Sequence, residues 1–207
     1  MKELTEALRD LEENKVYDLV EKYVAENRPV LEIIDALNDG MVAVGELFSQ
    51  NTYFISQLMF SAEILKTVMV KLDPLLQGQK PQDSAKKIVL GTVKGDIHDI
   101  GKNIAGTLMR GSGFDVIDLG VDVPAQKFID AVKESGAGIL ALSALLNFTY
   151  PEMKAVIEAL DAAGLKGQVK TIIGGAPVNE QVREFCGADY VARDAVHGVN
   201  ICKEIYG

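Results

Sequence analysis

Between Leu4 and Leu76 the apolar residues recur every three or four positions: Leu8 and Leu11, then Val16, Leu19, Val20 and Val24, then Leu31, Ile34 and Leu37, continuing through Met41, Val44 and Phe48. This is the period of a helix with one buried stripe, so the first part of the chain is expected to be all-α. Asn14 and Pro29 are placed to punctuate the helices, and Ile55 to Leu76 predicts a long final one, giving a bundle of four or five helices over residues 1–80. The stretch Gln77 to Ser84 carries Gly and Pro without apolar periodicity and is the expected linker. After it the pattern changes to short apolar runs separated by amphipathic segments: Lys87 to Val93, Asp115 to Leu119, Gly138 to Ser143, Val169 to Ile173 and Asp189 to Ala192. Five strands alternating with helices predict a parallel, doubly wound sheet of flavodoxin-like (Rossmann-type) order over residues 86–207. In such a sheet a ligand sits at the carboxyl ends of the strands, beside the switch point between the first and third. The loops after strands one, three and four are therefore where chemistry is expected.

Composition narrows the function classes. A net charge of -9 repels phosphate backbones, and no local basic segment interleaved with aromatics offsets it, so nucleic acid is not an expected partner. The most apolar stretch, Gly136 to Phe148, is too short to span a bilayer, and the acidic, amphipathic N-terminus does not read as a signal sequence. A cytoplasmic protein without a membrane partner is expected. Cys186 and Cys202 lack CxxC spacing and read as reduced packing residues.

After the first strand comes Gly95-Asp96-Ile97-His98-Asp99-Ile100-Gly101, an acid and an imidazole two residues apart. Asp96 could accept the Nδ1 proton of His98 and leave Nε2 free to donate to a metal. Alone, the same pair would also suit surface capping. The only other histidine, His197, lies far along the chain, so a zinc site built from several His or Cys is hard to assemble. A metal held by one histidine must be bound mainly by something else, and a macrocycle is the obvious candidate. Strand three ends in Ser143-Ala144-Leu145, followed by Asn147 and Thr149. Strand four ends in Gly174-Gly175, where missing Cβ atoms would let a bulky group approach, although a tight turn would need the same residues.

With these residues in place the sequence resembles the cobalamin-binding domain shared by methionine synthase, coenzyme-B12 mutases and the corrinoid proteins of methyltransferase systems. The fingerprint D-x-H-x-x-G, then S-x-L, then GG, falls on Asp96-His98-Gly101, Ser143-Leu145 and Gly174-Gly175 with the family's spacing. The resemblance extends through Gly40 to Phe48 and Tyr53 to Leu58, which look like the helical cap module of that family; Ser56 departs from a proline frequent there. It implies a base-off/His-on corrinoid such as methylcobalamin, with cobalt on His98. The loop residues Gly95, Asp96, Ile97, His98, Asp99 and Gly101, with Ser143, Leu145, Asn147, Gly174, Gly175 and Ala195, would line the cofactor, and Phe48, Ile55 and Leu58 would meet its upper face. It further implies a His98-Asp96-Thr149 relay that couples methyl transfer to protonation.

A stand-alone chain of this kind resembles the methyl-carrying subunit of a multi-component system. The implied partners are a substrate:corrinoid methyltransferase, a second methyltransferase acting on tetrahydrofolate or coenzyme M, and an ATP-dependent reductive activator. The alternatives are the B12-binding subunit of an adenosylcobalamin-dependent mutase, whose module would not need the Phe48-bearing bundle, and a B12-dependent regulator. The second would need a basic DNA-binding segment, and none is present.

Overall fold

The computed structural model describes residues 1–72, 75 and 86–207, and within these the chain forms two compact units. One comprises Met1–Ala85 with Gly111–Gly113, the other Lys86–Arg110 with Phe114–Gly207. The expected linker, Gln77 to Ser84, lies outside the described residues.

The first unit contains four α-helices among its described residues: α1 (Lys2–Arg9), α2 (Glu13–Ala25), α3 (Val30–Ser49) and α4 (Ile55–Leu72). Their apolar stripes supply a common core that includes Leu4, Leu8, Val16, Ile33, Leu37, Val44, Leu58, Ile64 and Val68. A Cβ on Gly40 would stand 3.0 Å from Leu8 Cβ and 3.1 Å from Thr5 O, so the glycine permits the close approach of α1 to α3. Thr5 Oγ1 donates to Ala36 O at 2.9 Å across the same contact. Asn14 does not break a helix; it lies inside α2, and the break falls at Asp10–Glu12, where Leu11 takes φ +60°. Pro29, with no N–H to lose, caps α3 as expected.

In the second unit β1 (Lys87–Thr92), β2 (Asp115–Asp118), β3 (Ile139–Ser143), β4 (Lys170–Gly174) and β5 (Tyr190–Ala192) form one parallel sheet in the order β2-β1-β3-β4-β5. Helices α5 (Ile100–Gly111), α6 (Ala125–Ser135), α7 (Tyr150–Ala162), α8 (Glu180–Cys186) and α9 (Ala195–Tyr206) alternate with the strands. The near-continuous burial of β1, β3 and β4 follows from sheet faces covered on both sides. One core cluster joins Val89, Leu140 and Ile173 to Phe128, Met153, Ile157 and Leu160. Tyr206 ties the two central strands at their starts, donating to Lys87 O and accepting from Gly138 N at 3.0 Å. Both cysteines are free and buried, and burial pushes their thiols up, Cys186 to about 11 and Cys202 to about 12. They are packing residues. The strand order reverses between β1 and β3, which sets the loops after these two strands side by side at the switch point.

Candidate corrinoid site

The loop between β1 and α5 carries the expected Asp-x-His pair. Gly95 takes φ +81°, a conformation that favours glycine, and turns the chain so that Asp96 points inward while Ile97 and His98 stay exposed. Asp96 is fully buried, and each of its oxygens has work. Oδ1 lies 2.6 Å from His98 Nδ1 and also accepts from His98 N at 3.0 Å. Oδ2 accepts from Leu145 N at 2.7 Å and Leu146 N at 3.1 Å. The second pair comes from the loop after β3, so one carboxylate joins the two loops at the switch point.

Burial alone would raise the Asp96 pKa, but the N–H groups of His98, Leu145 and Leu146 and the His98 ring outweigh it and hold the carboxyl at about 2. A carboxylate can only accept, so Nδ1 carries the proton of this contact, and in the neutral ring that leaves the lone pair on Nε2. The side chain is 48% exposed, and among the described residues no hydrogen bond engages Nε2. Also among the described residues, no group of three or more His, Cys, Asp or Glu could hold a metal ion. His98 is thus a one-donor site, suited to a metal whose remaining ligands arrive with it.

The surroundings fit a large, flat, partly apolar group. Ile97, Ile100, Leu145 and Phe148, on the loops after β1 and β3 and the start of α5, leave their apolar side chains in the open. Gly101 stands in the first turn of α5, and a Cβ there would meet nothing within 4 Å. Gly174 is the last residue of β4, paired with Ser143, and its Cβ would meet only ordinary contacts at 3.7 Å. At Gly175, with φ +144°, a Cβ would fall 1.8 Å from Ala144 O; this glycine is demanded by the backbone crossing itself. Ser143 and Ala195 are half-buried, the latter starting α9 behind the Asp194 cap, and Asp99 and Asn147 are exposed.

The direct His98-Asp96-Thr149 relay is not assembled. Thr149 is buried in a 3-10 turn (Asn147–Thr149), and its hydroxyl donates to Leu146 O at 2.6 Å. Asp96 Oδ2 is already filled by the two backbone N–H groups, so Thr149 reaches it only through the Leu146 peptide, whose oxygen takes the hydroxyl and whose nitrogen serves the carboxylate. In the helical unit Phe48 is half-buried near the end of α3 and Ile55 is exposed at the start of α4. Leu58, expected at the cofactor's face, is fully buried in the bundle core, where the helical stripe of α4 directs it. Phe54, Met59 and Phe60 beside it are exposed, like Ile55.

A family model described as a B12 binding domain matches residues 86–199, and a second of the same description matches residues 1–72. A dimethylamine corrinoid protein of Methanosarcina acetivorans is 38% identical over 206 residues, covering 98% of this chain and 95% of its own. The chain belongs to the B12-binding corrinoid protein family. The cofactor of this corrinoid protein is accordingly a cobalamin-type corrinoid. Among solved structures, a cobalamin-binding protein from Desulfitobacterium hafniense superposes on it with a TM-score of 0.83 at 43% identity, covering 99% of this chain and 97% of that one. A methanol:cobalamin methyltransferase complex from Methanosarcina barkeri matches with a TM-score of 0.85 at 28% identity, covering 99% and 78%. Among the described residues of this chain no helix is long and apolar enough to cross a membrane.

Two contributors to the site escaped the sequence reading. Asp122 follows β2, a strand whose loop was not among those expected to bear chemistry, and its carboxylate accepts from Gly95 N at 2.8 Å. Thr92 ends β1 and donates from Oγ1 to His98 O at 3.0 Å. An acid between Val121 and Val123, just before Pro124, was the available signal for the first; a threonine closing an otherwise aliphatic strand was the signal for the second.

Proposed function

We propose that the chain is a cytoplasmic methyl carrier, taking a methyl group from a substrate:corrinoid methyltransferase and handing it to a second methyltransferase that acts on tetrahydrofolate or coenzyme M. An ATP-dependent reductive activator completes the set of partners. When bound, the corrinoid supplies the cobalt that accepts and releases the methyl group. The chain supplies the lower ligand, its orientation and its proton inventory. The observation that carries the proposal is the disposition of His98: Nδ1 is anchored on the buried Asp96 carboxylate, the side chain is half-exposed, and among the described residues no hydrogen bond engages Nε2. Asp96 would hold the His98 ring in the orientation that presents Nε2 to a bound cobalt. The Leu145 and Leu146 N–H groups keep Asp96 ionised, which prevents the carboxyl from donating to Nδ1 and moving the ring proton to Nε2. Ser143 and Gly174, the last residues of β3 and β4, and Ala195, which follows β5 at the start of α9, are the residues proposed to line the cofactor's tail.

The test is the visible spectrum of the purified chain loaded with methylcobalamin and desalted, compared with His98→Ala. The variant is expected to keep the chromophore but to lose the bands of histidine ligation, and to cycle methyl groups poorly with its partner enzymes. Identical spectra and turnover for the two would reject His98 as the axial ligand.

A further inference from the structure

The loop that carries His98 is gripped from the β2 side, by a residue that touches neither the ring nor its carboxylate. Asp122 N donates to Asp96 O at 2.9 Å, and Asp122 Oδ1 accepts from Gly95 N at 2.8 Å, so one residue closes on both sides of the Gly95–Asp96 peptide. To do so Asp122 adopts φ +53°, a left-handed conformation that aspartate and asparagine tolerate better than most side chains. The residue is exposed, so it fills no core, and among the described residues its carboxylate forms no ion pair. Its reach is across 27 positions of sequence, whereas the nearby Asp118 serves its own turn through Gly120 N and pairs with the buried Lys102. The segment bearing Asp122 is itself fixed to β1, with Thr92 N donating to Gly120 O and Val123 N to Thr92 O, both at 3.0 Å. On the far side of the loop Thr92 Oγ1 holds His98 O.

We infer that Asp122 is a positioning residue for the axial histidine: it fixes the backbone of Asp96, whose carboxylate in turn aims the His98 ring. The inference rests on the reading of His98 as the cobalt ligand. Loss of the Asp122 carboxylate leaves Asp96 ionised and hydrogen-bonded but lets its main chain shift, and a shift of a few tenths of an ångström at Asp96 swings Nε2 at the far side of the ring.

Three variants separate the possibilities. Asp122→Gly removes the acceptor while relieving the left-handed backbone; Asp122→Asn keeps an acceptor oxygen and the same backbone tolerance; His98→Ala is the control for the reading beneath. In the cofactor-free protein, Asp122→Gly is expected to speed hydrogen exchange at the Gly95 amide by about tenfold, the effect of losing one hydrogen bond to a charged acceptor, with thermal midpoint little changed. Loaded with methylcobalamin, it is expected to show a reduced fraction of the histidine-on spectrum, and Asp122→Asn is expected to restore both readings. Asp122→Gly with an unaltered spectrum, or Asp122→Asn as impaired as Asp122→Gly, overturns the inference. If His98→Ala alters the spectrum while Asp122→Gly does not, only the positioning role fails; if His98→Ala leaves it unaltered, the ligand reading and this inference fall together.

Discussion

Gly174 and Gly175 are adjacent in the chain and meet different surroundings. A methyl group on Gly175 would collide with Ala144 O in a backbone conformation unsuited to side chains, whereas one on Gly174 would make ordinary contacts at 3.7 Å with Ala192. Gly175→Ala is therefore expected to destabilise the protein by about 2 kcal/mol or more, read as a lowered thermal midpoint before any cofactor is added. Gly174→Ala should melt like the parent yet retain less corrinoid after desalting; equal retention would free Gly174 of any role in the tail pocket. Asp96 offers a second residue-scale test through pH. Its folded pKa of about 2 lies below the ordinary 3.8, so it contributes stability that is fully present above about pH 4 and is lost as the pH falls through 2. The size is about 2 kcal/mol. Acid titrations of unfolding free energy should show this loss in the parent and not in Asp96→Asn, which is expected to start less stable because its NH2 must face donors. Above pH 4 the titration of Asp96 should contribute no step to cofactor binding.

At the scale of elements, the aliphatic run of β1, Ile88 to Leu90, gives way at Gly91, and the reason lies in its neighbour. A Cβ on Gly91 would stand 2.7 and 2.9 Å from ring atoms of Phe128, a fully buried side chain of α6. Gly91→Ala is expected to cost about 1–3 kcal/mol by overpacking, checked by denaturant unfolding; Phe128→Leu in the same chain should recover part of it if the clash is the cause. β1, β3 and β4 were legible from sequence because parallel strands covered on both faces appear as apolar runs, and the ends of all five strands moved by only a residue or so. Gly174 belongs to β4 because it pairs with Ser143, a cross-strand register that no local pattern reveals. Asn14 misled for a similar reason: its propensity marks a boundary, but Leu11, a residue with no such preference, makes the turn. In the site, Asp96 and His98 were legible because the ring contact and the main-chain bond between them lie within three residues of sequence. The Thr149 relay was not, because its hydroxyl had a nearer acceptor in the Leu146 carbonyl, and Asp122 was not, because its partner is 27 residues away.

Over the whole molecule, each unit carries a core of its own. The cluster around Val89, Leu140 and Ile173 is built from the sheet unit alone, and so is every hydrogen bond described for Asp96, His98, Thr92 and Asp122. The two ends of that unit also meet, with Lys86 Nζ donating to Gly207 O at 2.9 Å. We propose that residues 86–207 form an independent cobalamin-binding domain and residues 1–80 a separate helical one, a division that agrees with the spans of the two family matches. A chain of about 120 residues is an ordinary domain size. The fragment 86–207 is expected to unfold in a single cooperative transition and, after loading with methylcobalamin, to show the same His98-dependent bands as the full chain. Corrinoid should raise its thermal midpoint with concentration, as any ligand specific for the folded state does. A fragment that folds but leaves methylcobalamin unbound would mean that the helical unit contributes to retention of the cofactor, and the affinity difference between fragment and full chain would then measure how much.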